Sequence, residues 1–524
     1  MSARMAESNE QAPLLGEDDA RRHDNGLHAP PTLKRRSKTA SSAAACVVAI
    51  VLAQIVALEL SNSFIEPSLG ELEEAAICRD YFANDDVPDP ATDPRCKSEP
   101  VQSELSMLQG VEMTIALLPG LLTSVPYGIA AERYGRRIIL IVCTFGLMLM
   151  YPLDLVVVRY LPVKFIWLVA NTNYVGGGVH VMMALLYTIV SDVTTQAHRS
   201  TVFFYMAAAR AGTALLGNPL AYLAMKKGGP WLTGCLSSGC LVVMFLLSFA
   251  VPETGRHPRG LPGKDAAGGR EPCRTASLLS TPMVASSAET AAAASASASS
   301  STLRGMAASI QPALRSNKTV AVLLCSTLFT KLGSWVSPLL MQFLSKRLSY
   351  SWAEASLALS VKAFSKLALV LIVLPLVSQA LVRAKVPPRK KDLLIARWCV
   401  VFAMAGAFGI AFASNAAVLV CFIVPFSLTE GFDASIKSLL AQVAGDGQLA
   451  VLFSVVSLLE NLGIMVAGPG MAYAFRLGLQ WGGAWLGLPF IVAGVIMAFA
   501  AAIVLSVRVE DMEHGNLDSQ AVHV

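Results

Sequence analysis

The dominant pattern along the chain is a series of long apolar runs separated by short polar stretches. Many runs are about 20 residues long, enough for a helix to cross a hydrocarbon core of about 30 Å. The alternation of apolar and polar residues that is typical of barrel strands is absent from the sequence, which leaves helices as the spanning element. The pattern therefore predicts an all-α polytopic membrane protein with twelve spans. They are placed at residues 42–64, 105–128, 137–158, 164–191, 199–225, 231–251, 318–343, 353–382, 393–413, 415–442, 449–475 and 483–507.

Composition and charge support this class and argue against several others. The chain is 54% hydrophobic and 15% charged, whereas soluble domains average about 25% charged residues. Its net charge of +5 comes with basic residues at the ends of apolar runs, so it indicates topology and not a nucleic-acid partner. Neither a phosphate-binding loop nor a metal-ligand spacing occurs in the sequence. We therefore expect no enzymatic activity, cofactor or metal, and partners limited to the lipid bilayer, a small molecule and a driving ion.

The distribution of charge between loops predicts the orientation. Basic residues precede the first span and recur in alternate loops, while the segment from Glu71 to Glu104 reads as an acidic outer loop. By the positive-inside rule both termini lie in the cytosol, with the plasma membrane as the expected location and the vacuolar membrane as the alternative. The predicted segments are a disordered tail (1–41), a six-helix bundle (42–253), a Ser/Ala-rich cytosolic linker (254–317), a second six-helix bundle (318–507) and a cytosolic tail (508–524).

One charged stretch, "GIAAERYGRR" from Gly128 to Arg137, lies between the second and third predicted spans. It is similar to the G-x-x-x-D/E-R-x-G-R-R signature of the major facilitator superfamily, at the place in a twelve-span chain where that family carries it. Asp192 with Arg199, and "VPET" at the end of the sixth span, extend the resemblance, which covers about residues 42–507. The resemblance implies a monomer of two six-helix bundles that rock about a central substrate site.

The resemblance also implies a conformational latch at this motif. Its members are Gly128, Glu132, Arg133, Gly135, Arg136, Arg137 and Asp192. The two glycines permit close helix approach and a tight turn. Arg133 and Arg136 are expected to pair with Asp192, and Glu132 to lie near the N-terminal end of span eleven, where a carboxylate meets a positive helix dipole. The alternative is that the arginines only mark the cytosolic side.

A narrower resemblance involves the first outer loop. "LEEAAICRDYF" and "DPRCKSEPVQSELSMLQG" are similar to fungal transporters distantly related to the proton-coupled folate and haem carriers, as are "VAGPGMAYAF" and "WGGAWLGLPF". This likeness implies a disulfide between Cys78 and Cys96 in an oxidising compartment. In span five, Asn218 precedes the proline where efflux members often have Gly-Pro, so that element does not establish export.

Several charges fall deep within predicted spans, where each costs at least about 2.5–3.5 kcal/mol. Buried carboxylates bind protons readily, so Glu430, Asp433 and Glu460 are predicted to couple transport to protons. The deep cations Arg210, Lys331, Lys362 and Lys366 are predicted to neutralise an anionic or carbonyl-rich substrate. The alternative is that these acids and lysines pair with one another and only hold helices together.

The sequence favours a proton-coupled secondary transporter that exports a small organic molecule, such as a secondary metabolite, by alternating access. Uptake of an organic anion is the first alternative, suggested by the deep basic residues and the folate-carrier likeness. A nutrient sensor that does not transport is the second.

Overall fold

A computed structural model describes residues 31–82, 93–194, 196–253, 318–443 and 449–507. The predicted linker 254–317, the C-terminal tail 508–524 and residues 1–30 of the N-terminal tail lie outside the described residues. Throughout the described ranges the chain is helical, without a strand, as expected of backbone that must satisfy its own hydrogen bonds in lipid.

Over its described residues, the N-terminal half forms six helices in chain order. They are α1 (Pro31–Tyr81), α2 (Glu99–Tyr134), α3 (Arg136–Tyr160), α4 (Ile166–Val169), α5 (Gly178–Val193) and α6 (Gln196–Ser248). Short 3-10 turns flank α4, so the predicted fourth span is a broken helix. Gly177 adopts φ 81° at the start of α5, a conformation that glycine reaches without steric cost.

The first helix is longer than predicted. It continues through Glu71 to Tyr81, inside the segment expected to be an acidic loop, and it begins at Pro31, inside the predicted tail. The loop prediction was wrong for Glu71–Tyr81 because it weighed charge alone. Glu73 and Glu74 are buried against neighbouring helices, so these carboxylates belong to packed helix and not to a solvated connection.

The predicted fifth and sixth spans form one continuous run, α6, that is broken at Gly229. This residue has φ 72° and ψ −179°, which are not helical, and Pro230 follows it. Within the described residues eleven helical segments are long and apolar enough to cross a membrane, and Tyr205–Ser248 is counted as one of them. Its two halves on either side of Gly229 supply the fifth and sixth of the twelve spans.

In the described part of the C-terminal half the chain forms nine helices, and several predicted spans are interrupted. They are α7 (Lys318–Ser334), α8 (Leu339–Arg347), α9 (Trp352–Ala368), α10 (Leu374–Arg383), α11 (Pro388–Ala411), α12 (Ala416–Phe426), α13 (Thr429–Val443), α14 (Leu449–Trp481) and α15 (Leu488–Ser506). A π-helical turn, Leu369–Val373, joins α9 to α10. Such turns and breaks place backbone and side chains at positions that a regular helix would not reach.

Among the described residues, three apolar cores hold this arrangement together. One lies within the N-terminal half around Leu140, Met182 and Leu186, and one within the C-terminal half around Phe432 and Leu440. The third combines residues of both halves near Cys78, Cys96, Trp352 and Phe490. The architecture is therefore two six-helix bundles that share a packed core at the end of the spans carrying Cys78 and Cys96. We call this the disulfide end, and the end carrying Gly128–Arg137 the motif end.

Candidate transport site

At the motif end, Arg136 connects two helices of the N-terminal half. Its guanidinium forms an ion pair with Asp192 on α5 and its Nη1 donates to the carbonyl of Thr188 at 3.2 Å. The structure therefore brings together Arg136 and Asp192, two of the predicted latch residues. Arg133 lies elsewhere: its guanidinium is 5.5 Å from the ring centroid of Tyr134.

Glu253 of the "VPET" sequence completes this cluster. Its Oε1 accepts from the backbone N–H of Arg136 at 2.9 Å, and its Oε2 accepts from that of Arg137 at 3.3 Å. Arg137 also donates through Nη2 to the carbonyl of Phe249 at 2.7 Å. The "VPET" sequence and the charged stretch Gly128–Arg137 therefore contact each other. The contact is favourable because a carboxylate at a helix N-terminus accepts from N–H groups that have no partner within the helix, and because it interacts with the positive end of the helix dipole.

Gly135 makes this contact possible. Its φ is +102°, and a Cβ built on it would lie 2.6 Å from Oε2 of Glu253. Any other residue would be strained and would also displace the carboxylate. Gly128 is buried, whereas Glu132 and Arg133 are exposed. A contact between Glu132 and span eleven stays a prediction, and the side chain of Arg199 lies outside the described part of the chain.

In the C-terminal half, the three predicted proton-coupling carboxylates each form an ion pair with a lysine. The pairs are Lys366–Glu430 at 2.7 Å, Lys437–Glu460 at 2.9 Å, and Lys331–Asp433. The Lys366–Glu430 pair is the most open, with 45% and 39% of the two side chains exposed; no side chain in the other two pairs exceeds 21%. Glu430 is thus the carboxylate of this group with the best access to solvent.

Lys362 differs from the other predicted substrate-binding cations. Within the described residues it forms no ion pair, although its charge interacts with those of Lys366 and Glu430 in its own half and Glu66 on α1. Glu66 is exposed although it lies on the first spanning helix. Lys362 and Glu66 therefore belong to opposite halves and lie near enough for their charges to interact.

Arg210 has a partner that sequence reasoning missed. Its Nε donates to Oε1 of Glu59 on α1 at 2.8 Å, which joins span five to span one. On the neighbouring helix α3, Tyr151 donates through its hydroxyl to Oδ1 of Asn62 at 2.7 Å. A single carboxylate at position 59 in an apolar run was the signal that could have predicted this pairing.

At the disulfide end, Glu74 is the centre of a polar network that joins the two halves. It accepts from Nζ of Lys97 at 2.7 Å, from the indole N–H of Trp352 at 2.5 Å, and from the side-chain amide of Gln102. Gln342 of α8 in turn donates to the backbone carbonyl of Gln102 at 2.7 Å. Since Trp352 and Gln342 belong to the C-terminal half, the network closes this end of the molecule.

The loop that supplies Lys97 is held in place by local contacts. A disulfide joins Cys78 at the end of α1 to Cys96, with the Cα atoms 5.1 Å apart. Asp93 accepts from the backbone N–H of Arg95 at 2.8 Å and caps the 3-10 turn Pro94–Lys97. Hydrogen bonds from Arg95 hold the pKa of Asp93 below its usual value, so this cap stays charged at neutral pH.

Small residues permit the two halves to touch at this end. Gly110 on α2 and Gly468 on α14 approach so closely that a Cβ on Gly110 would lie 2.8 Å from the carbonyl oxygen of Gly468. Thr114 donates to the carbonyl of Met465 at 3.0 Å across the same contact. Close backbone approach through small residues is a common packing mode between membrane helices.

Comparison with known families decides the identity of this architecture. The profile described as Major Facilitator Superfamily matches residues 100–468. The chain belongs to the major facilitator superfamily. Its motif end is therefore the family's charged loop, and the chain is a multi-pass membrane protein and a secondary transporter of a small molecule.

Curated relatives from fungi extend along most of the chain. An MFS efflux pump of Emericella nidulans, atnC, is 27% identical over 513 residues and covers 96% of this chain and 94% of the relative. The efflux pump ustT of Aspergillus flavus is 24% identical and covers 78% of each chain. The expected resemblance to fungal transporters of this superfamily is thus confirmed.

Solved structures show the same fold. The POT family transporter PepTSo covers 90% of this chain and 98% of its own, with a TM-score of 0.60 and 11% identity. A D-xylose–proton symporter covers 88% of this chain and 97% of its own, with a TM-score of 0.56 and 12% identity. At such identities the likeness establishes the two-bundle fold alone.

Proposed function

We propose that this transporter exports a small organic molecule, such as a secondary metabolite, in exchange for protons. The observation that carries the proposal is the extended similarity to efflux pumps of Emericella nidulans and Aspergillus flavus. Opposite charges within the spans of both halves support a carrier that binds a polar cargo and exchanges protons. A charge inside a membrane marks a functional position by default.

The closed disulfide end supports transport by alternating access. Glu74, Trp352 and the Gly110–Gly468 contact join the halves at one end, so substrate enters from the other. Arg136 and Asp192 already pair within the N-terminal half in this arrangement, so closure of the motif end requires a further contact with the C-terminal half, for which Glu132 against span eleven is the candidate. Rigid-body rocking of two bundles around a fixed site requires such alternative contacts.

We assign the disulfide end to the outside and both termini to the cytosol. The basic residues at the motif end obey the positive-inside rule, and a disulfide between Cys78 and Cys96 persists in an oxidising compartment. The molecule then acts as a monomer in the plasma membrane, with the vacuolar membrane as the alternative.

Lys362 is the side chain best placed to contact the cargo. It faces the opposite half without an ion pair in the described part of the chain, and an unpaired cation between the bundles attracts an anionic or carbonyl-rich molecule. Arg210, Lys331 and Lys366 contribute only when their carboxylate partners are protonated or displaced, because each is already paired. This links substrate binding to proton binding at Glu430, Asp433 and Glu460.

Lys362 also supports the second candidate, uptake of an organic anion. Direction and coupling are tested together in proteoliposomes that hold the purified chain. The probe is the metabolite that accumulates in cells of a strain lacking this gene. Efflux coupled to protons predicts accumulation that follows a pH gradient and counterflow without one. Counterflow that ignores the pH gradient overturns the coupling, and absence of any movement overturns the transporter.

A further inference from the structure

Three carboxylates of the N-terminal half form a group that the predicted transport residues do not include. Glu73 on α1, Glu112 on α2 and Asp154 on α3 come from three different helices, and their charges are close enough to interact. Glu73 and Asp154 are each 1% exposed. We call Glu73, Glu112 and Asp154 the carboxylate triad.

The hydrogen bonding of the triad is incomplete. Both carboxylate oxygens of Asp154, and Oε1 of Glu73, are buried without a hydrogen-bond partner. Only Oε2 of Glu73 has one, the side-chain amide of Gln109 at 2.8 Å. A buried carboxylate that accepts no hydrogen bond and has no counter-ion is costly, whereas a neutral carboxyl group also carries a donor.

Nearby cations do not neutralise the triad. Within the described residues, no lysine, arginine or histidine forms an ion pair with any of the three. Four cations on the surrounding elements already have other partners: Arg210 pairs with Glu59, Lys97 with Glu74, Lys437 with Glu460, and Lys346 donates to the carbonyl of Lys97. Three more are exposed, namely Lys226, Lys227 and Arg476. His180 lies on α5, and the charge of Lys362 interacts with that of Glu66. The other ionisable groups nearby add no positive charge: Glu59 and Glu66 are acids, and Tyr151 is neutral when its hydroxyl is protonated.

We propose that the carboxylate triad is a proton-binding site, and that its protons are taken up and released at the disulfide end. This inference rests on the proposed proton coupling and assigns part of it to the N-terminal half. Like charges that interact cannot all remain ionised where two of the three carboxylates are 1% exposed. A proton is the cation proposed, because a protonated carboxyl group supplies the hydrogen-bond donor that a carboxylate lacks.

The position of the triad connects it to the closed network around Glu74. Glu73 precedes Glu74 on α1, about two turns before the helix ends at Tyr81, and Asp154 lies about a turn and a half before the end of α3 at Tyr160. Glu73 and Asp154 therefore lie near the level of Glu74, which Trp352 and Lys97 contact. When the two halves separate at this end, those contacts break and the triad gains access to solvent on that side.

The C-terminal half provides a contrast within the same chain. There Glu430, Asp433 and Glu460 each have a lysine partner, so they can stay charged with the site neutral overall. Among the described residues, the carboxylate triad has no lysine partners, so it becomes electrically neutral only when its carboxylates bind protons. The two halves thus hold carboxylates of different kinds, and only the triad needs protons in the closed arrangement.

Infrared difference spectroscopy of the purified full-length chain tests the proposal without a known substrate. Protonated carboxyl groups have a carbonyl stretch separate from that of carboxylates, and it is followed while pH rises from about 6 to about 9. The wild-type protein should show this band at neutral pH and lose it on alkalinisation. Glu73→Gln, Glu112→Gln and Asp154→Asn should each remove part of it. Glu104→Gln, at an exposed carboxylate paired with Lys164, should leave it unchanged.

Folding is checked on the same samples by thermal unfolding. Asp154→Asn replaces a neutral acid by a neutral amide of similar shape, so its unfolding temperature at neutral pH should equal that of the wild-type protein. Between neutral and alkaline pH the unfolding temperature should fall less in Asp154→Asn than in the wild-type protein, because the variant has no carboxyl group to ionise at this position. A band that is equal in wild type and all three triad variants overturns the proposal. So does a band lost at constant pH when sodium replaces potassium, because the ligand is then a metal cation. The band reports on the triad even if transport proves independent of pH gradients, which would overturn only the proposed coupling.

Discussion

Trp352 donates its indole N–H to the carboxylate of Glu74 at 2.5 Å, and this hydrogen bond joins the two halves of the transporter. The tryptophan ring also packs on Gly70, where an added Cβ would lie 2.4 Å from the ring. Glu74 is 4% exposed and Trp352 likewise 4%. One buried side chain from each bundle therefore closes the disulfide end.

Replacing Trp352 by phenylalanine should open this end more often. Loss of a hydrogen bond to a charged acceptor is worth about 1.5–3 kcal/mol, which changes the ratio of closed to open molecules about tenfold or more. The measurement is labelling of Ser106→Cys, at a buried position beside α14, with a membrane-impermeant maleimide. Labelling should become faster in Trp352→Phe.

Trp398→Phe is the matched control, because Trp398 is 56% exposed on α11 and lies outside the network. Equal labelling rates for both tryptophan variants would show that the hydrogen bond to Glu74 does not hold the closed state.

The Gly110–Gly468 contact predicts a second effect on closure. Gly110→Ala places a methyl group 2.7 Å from Cβ of Ala472 and 2.8 Å from the carbonyl of Gly468, so α2 and α14 must separate. Ser106→Cys labelling should again accelerate. Gly212→Ala is the control, because nothing lies within 4 Å of the added Cβ. In a helix that exchange should be neutral or stabilising by about 0.5–1 kcal/mol. Unaltered labelling in Gly110→Ala would contradict the role of this contact.

Variants of Glu253 and Glu132 at the motif end should have different effects, because the first carboxylate caps a helix and the second is a predicted latch residue. Glu253→Ala removes the acceptor for two N–H groups at the start of α3 and should lower the free energy of unfolding by about 0.5–2 kcal/mol. Glu132→Gln changes an exposed side chain and should leave stability unaltered while slowing exchange. Thermal unfolding and counterflow measure the two effects. A large loss of stability in Glu132→Gln would place this carboxylate in the packed structure and not in the latch.

The spans could be predicted from the sequence because hydropathy alone decides which segments enter lipid. The breaks could not, since the π-helical turn after Ala368 and the non-helical Gly229 depend on packing. The helix from Glu71 to Tyr81 was missed for a related reason: the sequence shows that Glu73 and Glu74 are charged, but not that neighbouring helices bury them. The fold was therefore more predictable than the local geometry.

In the candidate site, too, the sequence indicates which residues are charged but not which of them lie close together. Helical spacing placed Glu430 and Asp433 on one face of a span, and their lysine partners were foreseeable as an alternative. The partner of Arg210 was missed although Glu59 is a visible lone carboxylate in an apolar run, because the sequence does not show which two helices lie side by side. Lone carboxylates at Glu112 and Asp154 within apolar runs were a visible signal, yet their proximity to each other is a property of the folded bundle.

Glu430 and Asp433 should respond differently to neutralisation. The Lys366–Glu430 pair is open to solvent, so Glu430→Gln should keep counterflow and lose accumulation driven by a pH gradient. Asp433→Asn leaves Lys331 without its partner at a buried position, and an uncompensated buried charge costs about 3–5 kcal/mol, so this variant should lose stability. The double variant Asp433→Asn with Lys331→Met should recover stability, because the charge itself is then gone. Transport and unfolding are measured on the same preparations. If Glu430→Gln still accumulates substrate along a pH gradient, that carboxylate has no part in coupling, and the protons must bind elsewhere, with Asp433, Glu460 and the carboxylate triad as the remaining candidates.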